Sequence, residues 1–284
     1  MKIYIVGISG MLGSKLFNEF IKLKRLIVRG SSRSLPKIFN DDRRNIDLNC
    51  DVYNLDLIYK NLKKFNPDII INCIGVVKQK IKKNINEKEI FYINSIFPHE
   101  LHKISKSLKS KLIHFSTDCV FDGKRGNYSE KNTPNAKDLY GLSKIIGEVD
   151  ANNAITLRTS IIGDELNSKK GLFEWFMSQK KNCQGYSNCY FSGFPTLEIF
   201  NIILKIIKRK KLSGVYHLSS YKISKYDLLK LIAKIYQKKI KIYKNTNIKI
   251  DRSLNSNRFK DLIKYKSPSW EKLILEMYKN NGKK

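Results

Sequence analysis

Three short phrases carry the side chains with the most chemistry. Tyr140-Gly-Leu-Ser-Lys144 puts a phenol and an ammonium four residues apart, on one face of a helix. A free tyrosine titrates at about pH 10, and a neighbouring ammonium favours its phenolate. The pair therefore suits general acid–base work near neutrality. Phe115-Ser116-Thr117-Asp118 leaves an apolar run, and a hydroxyl there can serve the same substrate oxygen as Tyr140. Gly7-Ile8-Ser9-Gly10-Met11-Leu12-Gly13 is a glycine triplet whose small residues let the backbone approach a pyrophosphate.

The elements around these phrases fit that use. Lys2–Val6 is an apolar run directly before the glycines, and Met11–Leu23 carries apolar residues at helical spacing directly after them. A strand-to-helix turn offers free N–H groups and the positive end of the helix dipole to an anion. Further strands are expected at Leu26–Val28, Asn45–Leu48, Asp68–Asn72, Lys111–Phe115 and Ile155–Leu157. Helices are expected at Leu55–Phe65, Glu87–Ser107 and Leu139–Asn152. Strands that read as continuous Ile/Val/Leu runs, alternating with helices, predict an α/β, Rossmann-type, doubly wound parallel sheet.

After about Gly163 the alternation becomes irregular, which predicts a small discontinuous C-terminal substrate lobe. The expected division is a dinucleotide domain over 1–162, completed by about 188–219, and a lobe over 163–187 and 220–284.

The end of the second strand discriminates between cofactors. An acid there would hold the ribose hydroxyls of NAD, whereas arginine suits a 2′-phosphate. The segment reads Arg29-Gly-Ser31-Ser32-Arg33, with no acid until Asp41. NADPH is the expected cofactor, with Arg29, Ser31, Ser32 and Arg33 as phosphate contacts; NADH stays open.

The ordered phrases resemble the extended short-chain dehydrogenase/reductase family, in its dTDP-4-dehydrorhamnose reductase-like branch. They are Gly7-x-x-Gly10-x-x-Gly13, Asp51-Val52, Asn72-Cys73-Ile74-Gly75, Ser116-Thr-Asp-Cys-Val-Phe-Asp-Gly123, Tyr140-x-x-x-Lys144 and Leu157-Arg-Thr-Ser160. The resemblance implies Thr117, Tyr140 and Lys144 as the catalytic set. Tyr140 would protonate a C4 keto oxygen, Lys144 would bind the nicotinamide ribose, and Thr117 would hydrogen-bond the keto oxygen. Asp118 and Ser160 would lie beside the sugar. Gly7, Ser9, Gly10, Met11, Leu12 and Gly13 would hold the cofactor phosphates. Asp51 and Val52 would flank the adenine, and Asn72, Cys73, Ile74 and Gly75 would line the cofactor. Asn94 falls where the family often has an asparagine that organises a proton relay. Ile161 follows Ser160 where the branch usually has tryptophan, so the sugar and its nucleotide stay open.

The expected function is reduction of a nucleotide-linked 4-keto-6-deoxy sugar, for surface polysaccharide. The alternatives are a nucleotide-sugar 4-epimerase with the same Tyr and Lys, and a non-catalytic NADP-binding regulatory subunit. Asp118 is followed by Cys119 rather than glutamate, which argues against a dehydratase.

Composition narrows the rest. The 284 residues are 42% hydrophobic, enough for a core, and no apolar run reaches the roughly 18–20 residues of a membrane span. The net charge of +30 raises nucleic acid as a partner, but only ten residues are arginine and the lysines are spread along the chain. That reads as a solvated basic surface, with neither nucleic acid nor membrane as partner. A nucleotide sugar is the expected partner, and a homodimer stays open.

Five scattered cysteines without a CxxC pair indicate neither zinc nor a disulfide framework, and fit a reducing cytoplasm. Lys78 is placed near the sugar or its phosphates. Phe173 and Phe176 are expected in the core, His99 and His102 at the surface rather than on a metal, and Cys73 and Cys119 as small apolar packing.

Overall fold

A computed structural model of the chain describes residues 1–78, 86–166, 170–209 and 211–281. The chain divides into two compact units. The first comprises Met1–Ser116, Lys137–Leu157 and Ile206–Val215; the second comprises Thr117–Ala136, Arg158–Lys205 and Tyr216–Lys284.

The principal sheet has seven strands. In chain order they begin with β1 (Lys2–Val6), β2 (Ile27–Ser31), β3 (Ile46–Asp47), β4 (Ile69–Asn72), β5 (Lys111–Thr117) and β6 (Ala154–Thr159). The seventh is Gly214–His217, and the spatial order is β3-β2-β1-β4-β5-β6 followed by that strand. β1 pairs in parallel with both β2 and β4, β2 with β3, and β4 with β5. The order reverses direction beside β1, as in a doubly wound sheet that binds ligand at its strands' carboxyl ends.

The pleat explains the apolar runs. Tyr4, Val6, Ile70 and Leu112 pack on one face with Ile58, Leu62, Phe97 and Leu101 from two helices, Leu55–Phe65 and Phe97–Ser107. Ile3, Ile5, Ile71 and Ile113 alternate with them and are equally buried. A strand covered on both faces has no polar side to show, so its sequence reads as unbroken apolar residues.

Three elements depart from the periodic reading, each for a physical reason. β2 runs on through Ser31, because it keeps pairing with β1 to the Val6–Ser31 register. The Glu87–Ser107 segment is helical, but residues Tyr92–Ile96 form a π-turn within it. The Tyr140 helix is Leu139–Ile146 and stops at Gly147, where a β-carbon would stand 1.8 Å from the carbonyl oxygen of Asn94 in that π-turn. Inserted π-turns recur at functional sites.

The second unit holds short strands and helices. Ile161–Ile162 pairs with Phe194–Pro195, Asn182–Tyr186 with Lys241–Asn245, and Cys189–Phe191 with both Ile223–Ser224 and Ile250–Asp251. Phe173 and Phe176 are fully buried, as the core reading expects, and Phe173 packs its ring on Tyr236.

Candidate active site

In the first unit the glycine phrase forms a tight turn between β1 and the helix Met11–Ile21. Gly7 has φ +91°, a conformation that favours glycine, and a β-carbon there would stand 2.5 Å from Ile74 Cγ1. A β-carbon on Gly13 would stand 2.2 Å from the Gly7 carbonyl oxygen, so this glycine lets the helix start close to the strand end. Gly10 caps the helix without a side-chain hydrogen bond, and Ser9 and Gly10 are exposed while Leu12 and Gly13 are buried. An exposed turn feeding an uncapped helix start suits a pyrophosphate. The Ser31 carbonyl accepts from both Gly7 N–H and Ile8 N–H, which fixes the end of β2 against this turn.

The four cofactor candidates at that strand end separate. Arg29 lies within β2 and forms an ion pair with Asp47 on β3, a carboxylate that also accepts from the Tyr4 hydroxyl. Ser31 and Ser32 are buried, and Ser32 Oγ has no partner among the described residues. Arg33 is exposed. Asp51 turns its carboxylate onto Tyr53 N–H, and the Tyr92 hydroxyl donates to the Val52 carbonyl. Tyr53 and Tyr92 stack with ring centroids 4.6 Å apart, an aromatic pair next to Asp51 and Val52 that no local sequence pattern marks.

The loop after β4 lies next to the glycine turn. Cys73 N–H donates to the Val6 carbonyl, Ile74 N–H to Asn72 Oδ1, and Val76 N–H to Asn94 Oδ1. Asn94 also donates to the Val76 carbonyl and to Ser143 Oγ, so its buried amide is a clamp on the loop. Gly75 is exposed, and a β-carbon on it would meet Asn94 Oδ1 at 3.4 Å and Lys144 Nζ at 4.0 Å.

Lys144 and Tyr140 share the helix Leu139–Ile146. Lys144 Nζ donates to the Phe115 carbonyl at 2.8 Å. Burial lowers its pKa to about 8, opposed by the Glu148 carboxylate. Glu148 in turn accepts from Ser116 Oγ at 2.7 Å. Ser143 Oγ donates to the Tyr140 carbonyl, which links the Asn94 clamp to the Tyr140 turn. Tyr140 itself is half-buried.

Asp138 caps this helix, accepting from Gly141 N–H, and its other oxygen pairs with Lys78 Nζ at 2.8 Å. Lys78 is therefore held at the start of the Tyr140 helix. An aspartate two residues before Tyr140 is a readable N-cap signal, whereas its pairing with Lys78 has no local signal.

The second unit holds Thr117, Asp118 and Ser160 together. Ser160 Oγ donates to Asp118 Oδ2, Thr117 Oγ1 donates to Asp118 Oδ1, and Cys119 N–H donates to Thr117 Oγ1. Burial raises the Asp118 pKa, opposed by the Ser160 and Thr117 hydroxyls and by Arg252. Arg252 donates from Nε to the Phe121 carbonyl and comes from the irregular C-terminal segment, where no periodic signal marked it.

Burial pushes the Cys119 thiol up to about 12 and raises that of Cys73 as well. His99 and His102 hydrogen-bond Ile146 and Asn153. Among the described residues no three His, Cys, Asp or Glu side chains cluster as metal ligands, and no described helix is long and apolar enough to cross a membrane.

The chain is similar to several known proteins. The chain is 25% identical to methionine adenosyltransferase 2 subunit beta of Danio rerio, over 82% of this chain and 73% of that protein. It is 28% identical to the "Probable low-salt glycan biosynthesis reductase Agl14" of Haloferax volcanii, over 57% of this chain and 54% of that one. Its fold matches the crystal structure of dTDP-4-dehydrorhamnose reductase from Bacillus anthracis in complex with NADP, with a TM-score of 0.82, 21% identity and 99% of both chains covered. The family model described as RmlD substrate binding domain matches residues 1–281, and the chain belongs to that family.

Proposed function

We propose that the protein is an NADPH-dependent reductase of a nucleotide-linked 4-keto-6-deoxy sugar, supplying surface polysaccharide synthesis in the cytoplasm. The observation that carries this reading is Lys144, buried on the Phe115 carbonyl beside the open backbone of Gly75 and one helical turn from Tyr140. A buried amine there has a use if a ribose hydroxyl takes its remaining protons and a phenol needs its charge.

In this reading the Gly7–Gly13 turn holds the pyrophosphate, Ser32 and Arg33 hold the 2′-phosphate, and Asp51 and Val52 flank the adenine. The backbone of Asn72–Gly75 runs along the dinucleotide, and Lys144 binds the ribose. A nicotinamide cofactor supplies the hydride chemistry. Tyr140 delivers a proton to the keto oxygen, and Lys144 stabilises the phenolate left behind. Thr117, Asp118 and Ser160 bind the sugar. The carboxylate of Asp118 is already supplied with two hydroxyl donors, so it accepts from a sugar hydroxyl without rebuilding its surroundings. Lys78 leaves Asp138 for substrate only at the expense of an exposed ion pair, a small cost of about 0–1 kcal/mol.

The likeness to methionine adenosyltransferase 2 subunit beta supports a second reading, a cofactor-binding subunit of another enzyme. Turnover separates the two. Incubation with NADPH and dTDP- or UDP-linked 4-keto-6-deoxy sugars should consume the cofactor if the chain is a reductase. Tight NADPH binding with no consumption on any of these sugars would favour the subunit reading.

A further inference from the structure

His114 is fully buried in β5, and its partner across the parallel sheet is Asn72, the last residue of β4. Asn72 Oδ1 accepts from Ile74 N–H at 3.0 Å, and that bond decides which way the amide faces. Its Nδ2 then meets His114 Nδ1 at 3.2 Å. An amide N–H can only donate, so Nδ1 is the acceptor and the imidazole is neutral, with its proton on Nε2. Burial, with Lys144 and His99 nearby, lowers the His114 pKa well below its ordinary value, in agreement with that state.

Nε2 has no hydrogen-bond partner among the described residues. A buried donor left unpaired is unfavourable, and an apolar side chain of similar volume would avoid it. Packing alone therefore gives no reason for a histidine at this place; the acceptor at Nδ1 does. What it holds matters: Ile74 Cγ1 is the atom that a β-carbon on Gly7 would meet at 2.5 Å, and Cys73 N–H is bonded to Val6. An imidazole on β5 thus fixes an amide on β4, which fixes the loop lying against the glycine turn.

We propose that His114 is a positioning residue for the dinucleotide, acting through Asn72 to set the backbone of Cys73–Gly75 against the Gly7–Gly13 turn. The proposal rests on the NADPH reading above. It requires an acceptor at the place of Nδ1 and nothing at the place of Nε2.

The test is NADPH affinity, followed by the fluorescence of the bound cofactor, in the wild type and in a set of variants. His114→Asn puts an amide oxygen where Nδ1 stood and should bind within about threefold of wild type. His114→Gln and His114→Leu supply no acceptor there and should bind about tenfold more weakly. In an Asn72→Ala background, His114→Gln should have no further effect. A purely packing role predicts the reverse order, with the larger glutamine tolerated better than asparagine, and would overturn the proposal. So would equal affinity across the set, or additive losses in the double variant, while the cofactor reading stood. If the wild type binds neither NADPH nor NADH, the cofactor reading and this proposal fail together.

Discussion

Lys144 Nζ donates to the carbonyl oxygen of Phe115 at 2.8 Å, tying the Tyr140 helix to β5 one residue before Ser116. The bond spans 29 residues of sequence and joins the two phrases proposed to carry the acid–base chemistry. It also means that a charged amine is kept inside the protein. Taking such a group out of water costs stability.

That cost has a pH signature. Burial lowers the Lys144 pKa from its ordinary 10.5 to about 8. Below pH 8 the folded and unfolded chains both hold the proton. Between the two values the unfolded chain holds more protons, so stability rises with pH across that window. Lys144→Met removes the titrating group. Urea melts at about pH 7 and about pH 9.5 should show the wild type gaining about 2 kcal/mol relative to the variant. No relative gain would mean that the amine is not held as described.

Gly147 follows the Tyr140 helix, and nothing larger fits there against the Asn94 carbonyl, 1.8 Å from where a β-carbon would be. The φ of −82° is open to any residue, so the constraint is contact and not backbone conformation. Gly147→Ala should lose about 2–3 kcal/mol of stability, at the upper end for overpacking. It should also raise the KM for NADPH, since Asn94 clamps the Val76 loop. Thermal melts and cofactor titration read the two effects separately.

Arg29 and Arg33 should behave differently, since Arg29 lies within β2 and Arg33 just beyond its end. Arg29 is committed to Asp47, so Arg29→Ala should lower stability and leave the preference between NADPH and NADH nearly unchanged. Arg33 is exposed, and Arg33→Ala should raise the KM for NADPH about tenfold or more while sparing NADH, the size expected for a charge-assisted phosphate contact. Steady-state kinetics with both cofactors decides it. The opposite pattern would move the 2′-phosphate to Arg29.

The sequence made the dinucleotide half of the fold legible because its signals are local. A glycine triplet between an apolar run and a helix, a Tyr and a Lys one turn apart, and strands buried on both faces all show within short windows. The shortfalls involve partners that are distant in sequence. Asp47 claims Arg29 from 18 residues away, and the Asn94 carbonyl leaves room only for glycine at 147 from a distant part of the sequence. In the second unit, strands of two residues such as Ile161–Ile162 are too short to show any period. Arg252, which bears on Asp118, therefore had no pattern to announce it.

Tyr140 is proposed to deliver the proton to the keto oxygen, where a bound nicotinamide cofactor would supply the hydride chemistry. The most direct test compares wild type with Tyr140→Phe for NADPH oxidation in the presence of a dTDP-linked 4-keto-6-deoxy sugar, alongside NADPH affinity for each. Turnover is expected in the wild type, with a fall of about 100-fold or more in kcat for the variant and unchanged cofactor affinity, in line with loss of a general acid. Wild-type turnover that survives Tyr140→Phe undiminished would contradict it.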